Sequence, residues 1–214
     1  MDKDIFIALR KEYIFKELNE NEVFSDPFKQ FEKWFNEALS IDGLEANAMS
    51  LATSSAKNIP SVRTVLLKNF DENGFVFYTN YLSQKGSDLA ENPNASLLFY
   101  WKELERQIRI QGITEKVTRN ESREYFNSRP FDSRIAALAS EQSSVLKDRE
   151  ELMIKFNELK EKYTDSEVPL PESWGGYRLK PDRLEFWQGR MNRMHDRISF
   201  SHINGNWIME RLSP

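Results

Sequence analysis

Between Ser61 and Ser87 the sequence SVRTVLLKNFDENGFVFYTNYLSQKGS sets cations and hydroxyls among two apolar runs. Arg63 and Lys68 lie in or at the end of the first run, and Tyr78, Thr79, Ser83 and Lys85 follow the second. Guanidinium, ammonium and hydroxyl donors gathered near a helix start suit an anion, above all a phosphate. The competing reading is an edge strand whose charges are simply solvated. A second set, Tyr125, Arg129 and Ser133, is spaced at steps of four across NSRPFDS. If these three converge they offer a phenol, a guanidinium and a hydroxyl to one phosphate. Pro130 interrupts any continuous helix there, so the alternative is a helix end with a surface arginine.

A third cluster lies in EFWQGRMNRMHDR, where Arg190, Arg193, His195 and Arg197 follow Trp187 within a short segment. Mutual repulsion among such cations is costly unless an anion is shared or a carboxylate such as Asp196 compensates. Gln107, and Gln142 with Ser143 and Ser144, add amides and hydroxyls that can meet the edge of a planar heterocycle or simply satisfy backbone. His202 sits beside a turn and reads as surface.

Composition narrows the chemistry. The formal charge is 30 − 34 = −4, so phosphate-binding cations must act locally and the balance gives no support for nucleic acid or an acidic membrane. Cysteine is absent, which removes disulfides, thiolate catalysis and zinc–cysteine sites. The two histidines are too few and too poorly spaced for a histidine metal site, and no metal is expected. No apolar run approaches the roughly 20 residues needed to span a bilayer. The start, MDKDIFIALRKEY, lacks a signal-peptide core, and the expectation is a soluble, cytoplasmic protein. With 39% hydrophobic residues the 214-residue chain can build a real core. Two anion-binding sets, many aromatics and no nucleophile–base pair suit an enzyme whose hard chemistry belongs to a phosphorylated organic cofactor.

The elements that must position these groups follow from local pattern. Residues 1–24 read as a short helix or loosely docked arm. A helix begins at Ser25-Asp26-Pro27, with Phe28, Phe31, Phe35 and Leu39 on its covered face. Asn47–Thr53 reads as a strand, and Ser61–Ser87 as strand, Asn73-Gly74 turn, strand. A short helix is expected at Ser87–Asn92 and a buried strand at Ala95–Trp101. An alternating strand follows at Glu105–Thr118, with a bend at Gly112. Helices are expected at Asn120–Asn127, Asp132–Ala139 and Lys147–Tyr163. Strands then return at Tyr177–Leu179 and Leu184–Gln188 around a Lys180-Pro181-Asp182 turn. A final hairpin pairs Asp196–Ser201 with Trp207–Leu212 across Asn204-Gly205-Asn206. Short links between neighbouring strands favour an antiparallel sheet or barrel, one α+β domain over residues 1–214.

Taken together, LRKEY, RTVLLK, FYTN, SQKG, LERQ, YFNSRPFDS, EQSS, VPLPESWGGYR, EFWQG, RMHDR and the final RLSP closely resemble the pyridoxamine (pyridoxine) 5′-phosphate oxidase family. The resemblance implies an antiparallel FMN-binding split β-barrel of Greek-key type with flanking helices. It implies a homodimer with FMN in clefts between the subunits. The implied reaction converts pyridoxamine or pyridoxine 5′-phosphate to pyridoxal 5′-phosphate by hydride transfer to the flavin, with dioxygen reduced to hydrogen peroxide. Carried over by motif, Arg63, Thr79, Ser83 and Lys85 resemble FMN phosphate and ribityl contacts, and Val65, Leu66 and Tyr78 the walls of that site. Gln107, Gln142, Ser143, Trp187 and Arg197 would complete the flavin pocket, some of them from the partner subunit. Lys68, Tyr125, Arg129 and Ser133 resemble the group that holds the substrate phosphate, and the resemblance counts Lys68 among the cofactor contacts as well. Arg193 and His195 resemble the catalytic pair, and Arg10 and Tyr13 an N-terminal segment able to close over the substrate. One departure stands out: Gln84 occupies the place where the family usually has arginine. A split-barrel FMN reductase and a non-catalytic flavin or pyridoxal phosphate binder are the competing readings.

Overall fold

The computed structural model describes residue 13 and residues 16–214, so Arg10 lies outside the described residues. The described chain contains nine strands and five α-helices. The strands are β1 (Ala48–Ser54), β2 (Pro60–Leu66), β3 (Asn69–Asp71), β4 (Gly74–Asn80), β5 (Asn94–Trp101), β6 (Arg106–Lys116), β7 (Trp174–Gln188), β8 (Asp196–Ile203) and β9 (Asn206–Arg211). The helices are α1 (Pro27–Leu39), α2 (Gln84–Glu91), α3 (Arg119–Ser128), α4 (Phe131–Ala139) and α5 (Arg149–Lys162). Hydrogen bonding orders the sheet β2-β1-β5-β6-β7-β4-β3, with β8 on β7 and β9 on β8. The chain forms two compact units: residues 1–49, 97–111 and 181–214 in the first, and residues 50–96 and 112–180 in the second.

In the first unit, α1 starts as its residues dictate. Asp26 caps it by accepting the Phe28 N–H at 2.9 Å, and Pro27 occupies the first turn, where no donor is lost. Of the expected face Phe31 is buried and Phe28 and Phe35 are half-buried, but Leu39 is 57% exposed, and Trp34 and Ala38 complete the buried stripe. Phe31 meets Phe99 at 5.3 Å, and Trp34 meets Phe186 edge-on at 5.3 Å. Each ring so buried stabilises the fold by roughly 1.5–3 kcal/mol. Arg106, also buried, lies 4.2 Å over Trp34 and bonds Glu37 at 2.8 Å and Gln188 at 2.9 Å. β8 and β9 form the expected hairpin, with Asn204 and Gly205 at positive φ in its turn.

The second unit holds the first anion-binding sets. The Asn73-Gly74 turn is present, but it joins β4 to the short β3, pairing Phe70 with Phe75. The Pro60–Leu66 strand ends before Lys68 and is a neighbour of β1. Gly74 is required there: its φ is +131° and a Cβ would lie 2.1 Å from the Leu179 carbonyl oxygen. α2 begins at Gln84, three residues earlier than expected, because Ser83 caps it. α3 opens with a capping box between Thr118 and Glu121, and a kink at Arg129-Pro130 turns the chain into α4. Phe126, Ile135, Val168 and Trp174 form a core against which Phe156 and Leu159 of α5, and Tyr163 just after it, pack.

Two expected breaks are absent. β6 alternates buried and exposed residues straight through Gly112, without a bend. β7 continues through Lys180-Pro181-Asp182, where a turn was expected. Its residues Trp174–Leu179 pair with β4 and Arg183–Gln188 pair with β8. Pro181 falls between those two registers, where its missing N–H costs neither ladder a bond.

Candidate active site

A cavity of about 630 Å³ in the second unit gathers Arg63, Val65, Leu66, Lys68, Tyr78, Thr79, Lys85, Tyr125, Arg129, Ser133 and Gln142 in its lining. That is a volume in which a cofactor-sized ligand fits. Arg63 and Lys68, five residues apart, would point to opposite faces of a regular strand. They share the cavity because β2 stops at Leu66; the Lys68 N–H is held by the Val76 carbonyl at 2.8 Å. The kink at Arg129-Pro130 likewise brings Tyr125, Arg129 and Ser133 together across two helices.

The cations fall into two sets. Arg63 donates from Nη1 to Thr53 Oγ1 at 2.7 Å and from Nη2 to Ser61 Oγ at 2.6 Å. Lys85 Nζ donates to Gln142 Oε1 at 2.9 Å and Ser83 Oγ at 3.3 Å; Thr79 Oγ1 shares the same Gln142 oxygen at 3.1 Å. Burial, followed by the charge of Arg63, pushes the Lys85 ammonium below its ordinary pKa. Burial also lowers Arg63, an effect that Asp88 opposes. In the other set, Lys68 Nζ lies 6.0 Å from the centre of the Tyr125 ring and the Arg129 guanidinium 4.9 Å from that of Trp174. Among the described residues Arg129 Nη1 has no hydrogen-bond partner although it is buried, and burial lowers the guanidinium's pKa. An unpaired buried guanidinium nitrogen is what a missing anion would satisfy. Tyr78 stacks on Tyr125 at 4.0 Å and on Trp174 at 5.4 Å, and burial pushes its phenol up to about 12.

Ser83 and Ser143 are not part of the cavity lining. Ser83 is spent on α2, accepting the Gly86 N–H and donating to the Asn80 carbonyl at 2.7 Å. Ser143, at φ 75°, accepts the Gln84 N–H at 3.3 Å. Gln84 itself is exposed and donates to Asp88 at 2.8 Å.

The first unit carries the third cluster. Tyr13 meets Trp187 edge-on at 5.6 Å and His195 at 5.7 Å, while Trp187 and His195 lie 4.6 Å apart. His195 Nδ1 accepts the Arg190 N–H at 3.1 Å, which leaves the neutral ring's proton on Nε2. Burial and then Arg193 lower the His195 pKa, with Asp196 opposing them. Arg193 is exposed and sits, with Asn192, at positive φ. Arg197 donates from Nε to the buried Glu185 at 2.9 Å and from Nη1 to the Ser213 carbonyl at 2.8 Å. Gln107 is half-buried on β6. Trp174, Asp88 and Glu185 were not singled out by the sequence. Ser-Trp-Gly-Gly could have pointed to Trp174, but nothing local marks the two carboxylates as buried.

Residues 35–163 match the pyridoxamine 5′-phosphate oxidase family, and residues 174–214 match the pyridoxine 5′-phosphate oxidase C-terminal dimerisation region, which supports a homodimer. A pyridoxine/pyridoxamine 5′-phosphate oxidase of Crocosphaera subtropica is 54% identical over 210 residues, covering 97% of this chain and 98% of that protein. A chloroplastic pyridoxine/pyridoxamine 5′-phosphate oxidase of Arabidopsis thaliana is 51% identical over 97% of this chain and 40% of its own length. Among solved structures, PhzG from Burkholderia lata, in complex with tetrahydrophenazine-1-carboxylic acid, aligns with a TM-score of 0.88 at 30% identity over 94% of this chain and 99% of that one. A pyridoxamine 5′-phosphate oxidase-related, FMN-binding protein from Nostoc punctiforme aligns with a TM-score of 0.69 at 16% identity over 88% of this chain and 98% of that one, a likeness of fold alone. The fold is the split barrel of these proteins with flanking helices, and the family points to a flavin cofactor. Among the described residues no helix is long and apolar enough to cross a membrane. With family matches over residues 35–163 and 174–214 and relatives more than half identical along its length, the chain belongs to the pyridoxamine 5′-phosphate oxidase family.

Proposed function

We propose that the protein is an FMN-dependent oxidase that converts pyridoxamine or pyridoxine 5′-phosphate to pyridoxal 5′-phosphate and reduces dioxygen to hydrogen peroxide. The observation that carries this reading is one cavity with two cation sets, Arg63 with Lys85 and Lys68 with Arg129. Two phosphorylated ligands need two anchors; a reductase acting on an unphosphorylated substrate needs one. The names of the relatives above half identity agree with this.

Arg63 and Lys85 fit the cofactor phosphate. They are desolvated, they repel each other, and among the described residues no carboxylate hydrogen-bonds to either. Ser83 steadies the Lys85 ammonium, Thr79 and Gln142 serve the ribityl chain, and Val65, Leu66 and Tyr78 wall the site. Gln107, Ser143, Trp187 and Arg197 complete the pocket in the homodimer, some of them from the partner subunit. When bound, FMN supplies a two-electron acceptor that dioxygen regenerates.

Lys68, Tyr125, Arg129 and Ser133 hold the substrate's phosphate. Fixing one end of a rigid molecule sets the position of the reacting carbon at the other. The stacked rings of Tyr78, Tyr125 and Trp174 keep that anchor dry, which strengthens its charge-assisted bonds. We assign Arg193 and His195 to the reacting end. There the guanidinium would favour the negative charge that accompanies hydride transfer to the cofactor, and His195 would orient the substrate's amine or alcohol by donating a hydrogen bond from Nε2, the proton that the oxidation releases going to water. Tyr13, with Arg10, belongs to the segment that closes over the substrate.

The test is the visible spectrum of the FMN-loaded protein without oxygen, before and after adding pyridoxamine 5′-phosphate. Bleaching with formation of pyridoxal 5′-phosphate is expected. A flavin that stays oxidised rejects this substrate, and failure to bind FMN at all rejects the oxidase reading.

A further inference from the structure

Asp88 has no part in the reaction described above, yet its placement bears on the Arg63–Lys85 cradle. It lies in α2 and is 2% exposed. A carboxylate so buried needs compensation. Its Oδ2 accepts the Thr53 hydroxyl at 2.6 Å, its Oδ1 accepts the Gln84 amide at 2.8 Å, and Arg63 Nη2 stands 3.8 Å away. The same Thr53 oxygen accepts from Arg63 Nη1 at 2.7 Å, so one hydroxyl links carboxylate to guanidinium. Among the described residues every hydrogen bond that the two cations donate goes to a neutral group. Arg63 meets the Leu51 carbonyl and Ser61, and Lys85 meets Ser83 and Gln142. Among the described residues Asp88 is the one carboxylate that forms an ion pair with either cation.

The geometry matters as much as the charge. A bidentate pair at hydrogen-bond distance would occupy the guanidinium fork and close it to a ligand. At 3.8 Å, with a hydroxyl between, Asp88 offsets the charge without a bidentate bond of its own, and the hydrogen bonds of the fork go to the neutral Thr53, Leu51 and Ser61. We propose that Asp88 is an internal counter-anion of this cradle: it stabilises the empty site and thereby limits how tightly a phosphorylated ligand is held. The inference rests on the cofactor reading above. Its physical basis is linkage, since any contact that favours the empty state opposes binding by the same free energy.

Asp88→Asn removes the charge while its amide can still accept from Thr53 and meet Gln84. In the flavin-free protein the variant should melt below wild type, and saturating FMN should raise its melting temperature by more than it raises that of wild type. Its Kd for FMN should fall on the order of tenfold, the scale of a unit-charge change a few ångströms from a ligand. Riboflavin, which lacks the phosphate, should bind both proteins equally. Unchanged or weaker FMN binding by the variant, with riboflavin unaffected, overturns the inference while wild-type preference for FMN leaves the cofactor reading standing. Wild type that binds FMN no tighter than riboflavin overturns both. Should Asp88→Asn fail to fold, Gln84→Arg addresses the same carboxylate from an exposed position. A selective gain for FMN is again expected, and its absence overturns the inference.

Discussion

Arg129 sets stability against binding in a way one substitution can separate. Arg129→Met keeps an unbranched apolar stem, shorter than arginine's, and removes the guanidinium. Without substrate, two terms nearly cancel. The buried, unpartnered Nη1 is relieved, a gain of about 1–3 kcal/mol. The stacking of the guanidinium 4.9 Å over Trp174 is lost, a cost of about 0.5–2 kcal/mol. Urea unfolding of the substrate-free protein should therefore differ from wild type by less than about 1 kcal/mol. With substrate, a charge-assisted hydrogen bond to phosphate is lost, about 1.5–3 kcal/mol, or roughly 10- to 150-fold in the KM for pyridoxine 5′-phosphate. Turnover at saturation should change little, because the anchor holds substrate and transition state alike. A variant that loses several kcal/mol of stability while its KM stays at the wild-type value would refute the reasoning and make Arg129 a structural residue.

Other substitutions divide the remaining roles. Arg193→Leu should cut turnover far more than it loosens FMN, read by steady-state rates beside flavin titration; unchanged turnover removes Arg193 from the chemistry. Lys68→Ala should chiefly raise KM for the substrate, and loss of flavin instead would assign that lysine to the cofactor phosphate. His195 is held below its ordinary 6.5 in the folded state, so the unfolded chain takes up its proton first as pH falls. Its contribution to stability is then complete above about pH 6.5 and lost as pH drops through the lower folded value. Urea midpoints of wild type and His195→Gln from pH 8 to 5 should draw together on the acid side, and parallel curves would contradict that assignment.

How much of this was legible beforehand differs by level. The start of α1 was readable because a cap acts within one turn: Asp26 before Pro27 needs nothing from the rest of the fold, whereas the start that Ser83 caps was expected three residues later. The last hairpin was readable for the same reason, since Asn204 and Gly205 supply the positive φ themselves. The residue types for phosphate chemistry were also plain, because guanidinium, ammonium and hydroxyl groups are chosen by chemistry rather than by place. Tertiary structure decided which strands pair. Asn73-Gly74 forms a turn whichever strand precedes it, and only the sheet order gives β4 the short β3 as partner. Pro181 looks like a break until β7 is seen to change partners on either side of it. Convergence of Lys68 with Arg63, and of Tyr125 with Arg129 and Ser133, depended on where β2 ends and how the Arg129-Pro130 kink bends. Burial of Asp88 and Glu185 could not be read from sequence at all. Neighbours in sequence do not decide depth, since Glu185 stands between Leu184 and Phe186 and Asp88 between Ser87 and Leu89; their desolvation and their cations come from segments distant in the chain, which only packing brings to them.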